Sequence, residues 1–318
     1  MTTMNTKDAK IALGTWSWGS GMFGGDAVFG NTLGANDLKA VVDAALENHL
    51  NVFDTAYAYG IGESEKILGQ SLEPYNREDL IISTKFTPGM QDDTAKNPVK
   101  KMLDGSMERL GTDYIDIYWI HNSVDVERWT PYLPDLVKAG KVKRVGVSNH
   151  SLEQLKRVQE ILEPSGVKIS AIQNHFSLLY RSSIDDGLLD YCKENDIQFF
   201  SYMVLEQGAL SGRYDENNLL PADSQRGKTY NPLFPALRSL LTGLRAVAEK
   251  YDASVAQIAT AWAIGRDTTP ILGITKVEQV EDAAKVASIK LTEQEVSYLE
   301  QLAVNSGVDT RGGWEGQA

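Results

Sequence analysis

The sequence has one cysteine, Cys192, in 318 residues, so no internal disulfide can form and no disulfide scaffold supports the fold. Histidine is almost as scarce: the four present are scattered and show no Cys/His spacing, so no metal site is expected. Long apolar runs are missing. Nowhere do 18 apolar residues follow one another, and the first ten residues, MTTMNTKDAK, carry no apolar signal core. A soluble, cytoplasmic protein without a membrane partner is expected, in keeping with a lone thiol. Positive charge is the minority: 31 basic residues against 43 acidic ones leave a net charge of −12. Such a surface repels a phosphate backbone, which argues against nucleic-acid binding. No Pro/Gly/Ser linker divides the chain, and no repeat of 20 to 50 residues is visible.

What is present is an ordinary globular composition, 42% hydrophobic and 23% charged, ample for a large core. Short β-branched apolar runs occur at 11–16, 51–54, 80–85, 114–121, 143–149, 169–174, 197–202 and 270–273. Between them lie amphipathic stretches. In ANDLKAVVDAALENHL, for example, Leu38, Val41, Val42, Ala45 and Leu46 recur at the three- and four-residue spacing of one buried helical face. Nearly continuous apolar strands followed by helices imply parallel pairing with both sheet faces covered. An open doubly wound sheet has the same local grammar, but eight units favour closure into a (β/α)8 TIM barrel. One domain over 1–318 is expected, with long loops at the carboxyl ends of the strands. The longest are glycine-rich 17–36, expected to be a mobile loop, and 208–233. A further helix is expected over Thr292–Leu302, and an irregular tail from Asn305.

In such a barrel the strand ends carry the chemistry. There stand Asp54, Lys85, His121, Ser148, Asn149, Gln173 and Tyr202, with Tyr59 in the loop DTAYAYG. Singly, Asp54 could cap a helix and His121 could be a core histidine. An enclosed lysine, however, needs a carboxylate partner, and Asp54 on the neighbouring strand supplies one. A tyrosine, whose unperturbed pKa is about 10, can exchange a proton near neutrality when a cation stabilises its phenolate. Lys85 provides that cation, Asp54 holds Lys85 charged, and His121 can hydrogen-bond a carbonyl beside Tyr59. The set suits protonating a carbonyl, and the accompanying hydride requires a cofactor. Ser148, Asn149 and Gln173 suit a carboxamide, and Tyr202 offers a face to a nicotinamide ring. Thr275 and Lys276, where GITKVEQVEDA opens a helix, would receive a phosphate.

On these residues the sequence resembles the aldo-keto reductases. The motifs run in order from GTW at 14–16 through NVFDTAYAYGIGESEKILGQSL, LIISTKF, RLGTDYIDIYWIH, KRVGVSN, IQNHFSLLYR and VLEQGALSGRY to GITKVEQVED. The resemblance implies a (β/α)8 barrel with NADPH extended across its top and with Asp54, Tyr59, Lys85 and His121 as the catalytic tetrad, Tyr59 being the general acid. It assigns Ser148, Asn149 and Gln173 to the carboxamide and Tyr202 to the nicotinamide face. Leu205, Leu210, Ser211, Gly212 and Arg213 would lie over the pyrophosphate, and Gly273, Thr275, Lys276, Gln279 and Asp282 near the adenosine phosphate. Departures from the family pattern are Gln279 where arginine is common, Ala283 where asparagine is, Asp282 where glutamate is usual, Met203 where serine is frequent, and the large Trp119 within the fourth strand. NADPH is favoured and NADH remains open.

Gly19, Gly21 and Gly24 spell G-x-G-x-x-G after a strand, but no helix opens at once, and a Rossmann phosphate loop is not expected. Trp16, Trp18 and Phe23 are expected to line an apolar substrate pocket. The overall reading is an NAD(P)H-dependent reductase of an aldehyde, ketone or sugar-like carbonyl. Its alternatives are a cofactor-sensing regulatory subunit and, further off, a Schiff-base aldolase acting through Lys85.

Overall fold

The computed structural model describes residues 9–312. Eight parallel strands form a closed barrel in chain order: β1 (Ala12–Gly14), β2 (Val52–Asp54), β3 (Ile81–Phe86), β4 (Ile115–Ile120), β5 (Val142–Ser148), β6 (Ile169–His175), β7 (Gln198–Tyr202) and β8 (Thr268–Gly273). Each expected apolar run supplies one of them. Closure comes from β1 pairing with β8, Ala12 opposite Ile271 and Gly14 opposite Gly273.

Because side chains alternate along a strand, every second residue enters the barrel. Ala12, Val52, Ile81, Ile117, Trp119, Ala171 and Phe200 make a separate apolar cluster there. Trp119 is its largest member, and Gly146 on the neighbouring strand makes room for it. A Cβ at 146 would stand 2.4 Å from the Trp119 ring. The ring meets the edge of Phe200 at 5.4 Å. The same alternation carries Ser83 and Lys85 one and two steps above Ile81, and Gln173 one step above Ala171, so a polar layer sits on the apolar plug.

A second, larger core lies between the sheet and its helices. Those helices are set by local signals. Ser151, Ser254 and Thr292 accept from the backbone N–H three residues on and begin helices Leu152–Leu162, Val255–Gly265 and Glu293–Ser306. Asn97 caps Pro98–Leu110, which ends at left-handed Gly111.

Three expectations need correction. The stretch 17–36 is not an open loop: it contains helix Gly25–Phe29, and helix Ala35–Glu47 has already begun. Its glycine N–H groups are spent internally, Gly19 on Leu33 O, Gly21 on Asp26 Oδ1, Gly24 on Gly21 O and Gly25 on Gly19 O. A helix does open directly after Gly24, contrary to expectation, but none of these N–H groups is left to cradle a phosphate, which argues against a Rossmann role for the G-x-G-x-x-G string. The second long loop likewise contains helix Gln225–Tyr230, which packs against Gly25–Phe29. The last helix runs to Ser306 and stops at left-handed Gly307, so the irregular segment starts there and not at Asn305.

Candidate active site

The polar layer converges at the carboxyl ends of β2, β3 and β4. Lys85 Nζ, fully buried, donates to Asp54 Oδ2 at 2.6 Å, to the Thr55 carbonyl at 2.8 Å and to Tyr59 OH at 3.2 Å. Asp54 Oδ1 accepts from Ser83 Oγ at 2.5 Å and from Gln173 Nε2 at 3.0 Å. The loop carrying Tyr59 is held at its base: Thr55 N–H bonds the Ser83 carbonyl, and Ser64 Oγ donates to the Thr15 carbonyl. Gly60 sits at φ +64, where a Cβ would press to 2.7 Å from the Ser20 carbonyl.

His121 follows β4 directly. Its Nδ1 lies 2.9 Å from Thr87 Oγ1, and its ring stands edge-on to Tyr59 at 5.9 Å. Trp16 stacks on Tyr59 at 5.8 Å and 23°, and is itself held by donating Nε1 to the Phe23 carbonyl.

Electrostatics separate the roles. Burial opposes a charged Lys85, yet Asp54 and Tyr59 outweigh it and hold the ammonium above its ordinary pKa. Burial also pushes the Tyr59 phenol up, while Lys85 pulls it down. Desolvation, helped by Lys85, holds His121 well below the usual imidazole value, so it is neutral. In the tautomer in which Thr87 Oγ1 donates to Nδ1, Nε2–H is a hydrogen-bond donor. The arrangement can hold a phenol proton beside a cation and present a neutral donor next to it.

The carboxamide candidates form an adjoining arc. Asn149, at φ +59, donates Nδ2 to the His121 carbonyl at 2.9 Å and accepts from Tyr202 OH at 2.5 Å. Ser148 is buried beside it. Gln173 commits its nitrogen to Asp54, which leaves Oε1 to accept. Of the strap residues, Leu205, Ser211 and Gly212 are half-buried and Arg213 is exposed. Leu210 is fully buried in the outer core.

At the adenosine-phosphate end, Thr275 is half-buried and Gly273, Lys276 and Gln279 are exposed. Gln279 Oε1 accepts from Thr275 N at 2.7 Å, Lys276 N at 3.1 Å and Thr275 Oγ1 at 3.1 Å. The two backbone N–H groups and the Thr275 hydroxyl expected to meet a phosphate are therefore capped by a neutral side chain. Asp282 offers its carbonyl to Gln257 Nε2.

Trp16 and Phe23 stand at the mouth, Phe23 half-exposed with Met22 and Ile61 also open to solvent. Trp18 does not join them. It is fully buried and donates Nε1 to the Ile274 carbonyl at 2.7 Å, a core residue rather than a pocket wall.

Sequence reasoning passed over Ser83 and Thr87, both hydrogen-bonded to the tetrad. Period-two counting from Ile81 finds Ser83, whereas nothing local marks Thr87. Among the described residues no group of three or more His, Cys, Asp or Glu side chains stands ready to hold a metal ion. No helix there is long and apolar enough to cross a membrane.

Comparisons with known proteins agree with this fold. The profile of the Aldo/keto reductase family matches residues 10–304. The chloroplastic pyridoxal reductase of Arabidopsis thaliana is 30% identical over 314 residues, 94% of this chain and 84% of that one. Among solved structures, the glycerol dehydrogenase of Gluconobacter oxydans is similar at a TM-score of 0.79 and 25% identity, covering 95% of this chain and 94% of that one. An aldo-keto reductase from Klebsiella pneumoniae, solved in complex with NADPH, has the same fold at a TM-score of 0.70 and 24% identity, covering 92% and 90%.

Proposed function

The chain belongs to the aldo/keto reductase family, and on that premise we propose that it reduces the carbonyl of a small aldehyde or ketone to an alcohol, as one domain acting in the cytoplasm with NADPH. The observation that carries this reading is Lys85 Nζ bridging Asp54 Oδ2 at 2.6 Å and Tyr59 OH at 3.2 Å.

The residues present fit a nicotinamide. Ser148 Oγ, Asn149 and Gln173 Oε1 would hold its carboxamide, Tyr202 would give it a flat face, and the segment 205–213 would cover the pyrophosphate. Lys276 and Thr275 would meet the adenosine phosphate once Gln279 yields, so NADH is accepted as well. When bound, the nicotinamide supplies the hydride. The protein's own part is the proton. His121, neutral, donates to the substrate carbonyl oxygen and fixes its direction beside Tyr59. Tyr59 gives its phenolic proton to that oxygen as negative charge develops there. Lys85 stabilises the resulting phenolate, and Asp54 keeps Lys85 charged and aimed. Trp16 and Phe23 present an apolar wall to the rest of the substrate. A Schiff base at Lys85 would need a neutral amine, and the raised pKa of that lysine runs against it.

The test is NADPH consumption with a panel of aliphatic, aromatic and sugar-like carbonyls, alongside titration of NADPH and NADH binding by tryptophan fluorescence. Reduction of at least one carbonyl, faster than without protein, is expected. Tight NADPH binding with no turnover across the panel would instead favour a cofactor-sensing subunit.

A further inference from the structure

Glu206, in the loop after β7, is a fully buried carboxylate outside the tetrad. Four side chains from three separate stretches of chain converge on it. His175 Nε2, at the end of β6, lies 2.9 Å from Oε1, and Ser177 Oγ donates to the same oxygen. Thr310 Oγ1, beyond the last helix, donates to it at 2.9 Å, and Tyr230 OH donates to Oε2 at 2.7 Å. A buried carboxylate is tolerable only when so satisfied. The backbone around it is strained: Met203, Glu206 and Gln207 all have positive φ, at +61, +46 and +52. Something must hold that conformation, and the convergent hydrogen bonds do.

The same cluster reaches the site. The His175 ring stacks on Tyr180 at 4.4 Å and on Tyr202 at 5.6 Å, both within 24° of parallel. Tyr202 OH donates to Asn149, and Asn149 to the His121 carbonyl. One connected line therefore joins Glu206 to the tetrad.

We propose that Glu206 is a positioning residue that sets the plane of Tyr202 through His175 and locks the segment 203–213 through Tyr230 and Thr310, so that opening of this buried knot governs how fast nucleotide leaves. The proposal rests on reading Tyr202 and 205–213 as cofactor contacts. Among the described residues, Thr310 is the member of the knot that comes from the chain beyond the barrel helices, which makes it a latch that can be removed without touching a barrel element.

The experiment is stopped-flow displacement of NADPH from the wild type, Thr310→Val, Thr310→Ser and Glu206→Gln, with steady-state kinetics on each. Thr310→Val should release NADPH about tenfold faster, the worth of one hydrogen bond to a charged group. Its KM for NADPH should rise without loss of kcat, Thr310→Ser should restore the wild-type rate, and Glu206→Gln should exceed Thr310→Val. A lowered unfolding temperature with unchanged release from Thr310→Val would reduce the knot to a structural staple and overturn the proposal, even if Glu206→Gln fails to fold. Failure of the wild type to bind NADPH would instead remove the cofactor reading, and the proposal with it.

Discussion

Gln173 Nε2 donates to Asp54 Oδ1 at 3.0 Å, joining two side chains 119 positions apart in the chain. The amide thereby ties the carboxamide arc to the carboxylate that orients Lys85. Gln173→Leu should lower kcat/KM roughly tenfold, as expected for losing a hydrogen bond to a charged group, and should weaken nucleotide binding in the same variant. Loss in only one of the two measurements would show that the bond does not couple them.

Tyr59→Phe keeps the ring but removes the hydroxyl, and with it both the proton and the oxygen that accepts from Lys85. Reduction should fall by about 100-fold to 10,000-fold, with NADPH affinity near that of the wild type; turnover close to normal would sink the mechanism.

The pH response follows from the directions of the shifts. Reduction needs Tyr59 protonated, and burial holds its pKa above the ordinary value, so the reduction rate should be flat through neutrality and decline only at high pH. Alcohol oxidation needs the phenolate and should climb with pH. Lys85→Met removes the cation that pulls the phenol down, so it should slow both directions and move the rise of alcohol oxidation to higher pH. An oxidation profile that keeps its wild-type pH dependence would speak against a phenolate partner for Lys85.

Gln279 caps the donors of Thr275 and Lys276. Gln279→Glu keeps the cap but adds negative charge, so NADPH affinity should drop about tenfold while NADH affinity stays near wild type. Gln279→Arg should shift the ratio the other way. Fluorescence titration of both nucleotides decides, and parallel changes for both would remove Gln279 from the discrimination.

His150 is buried, and burial lowers its pKa to about 4 although its Nδ1 contacts the Ser148 carbonyl. The folded value lies below the unfolded one, near 6.5, so the unfolded chain takes up the proton first. Stability is intact above about pH 6.5 and declines towards pH 4. From pH 7 to 5 this group should account for about 2 kcal/mol. Urea unfolding of His150→Gln at both pH values should show that much less acid loss than the wild type.

Trp119 and Gly146 are volume partners. Gly146→Ala should destabilise by about 1–3 kcal/mol through overpacking, because the new methyl meets the indole at 2.4 Å. Adding Trp119→Leu should recover part of that loss, so the double variant is less unstable than the summed singles. Strict additivity in chemical denaturation would mean that the two do not share the space.

The barrel strands were legible because their signal is local. A β-branched apolar run such as LIISTKF reports its own burial, and period two then puts Ser83 and Lys85 on the inner face with Ile81. The tetrad was legible for a related reason, since Asp, Lys and His at the ends of buried strands need partners and each could be matched to another. Short helices such as Gly25–Phe29 escaped, being too brief to show a period. The full burial of Leu210 and Trp18 was not legible because nothing in their neighbourhood reveals what covers them.

The amino-acid sequence alone therefore determined the strands, their parallel pairing and the residue types that meet at their ends. Closure of the sheet, through Ala12 opposite Ile271, was decided only in three dimensions. So were the burial of Trp18 against an Ile274 carbonyl 256 positions away, the capping of the phosphate donors by Gln279 and the convergence of three segments on Glu206. Periodicity records which way a side chain points; which partner it meets depends on where the rest of the chain returns.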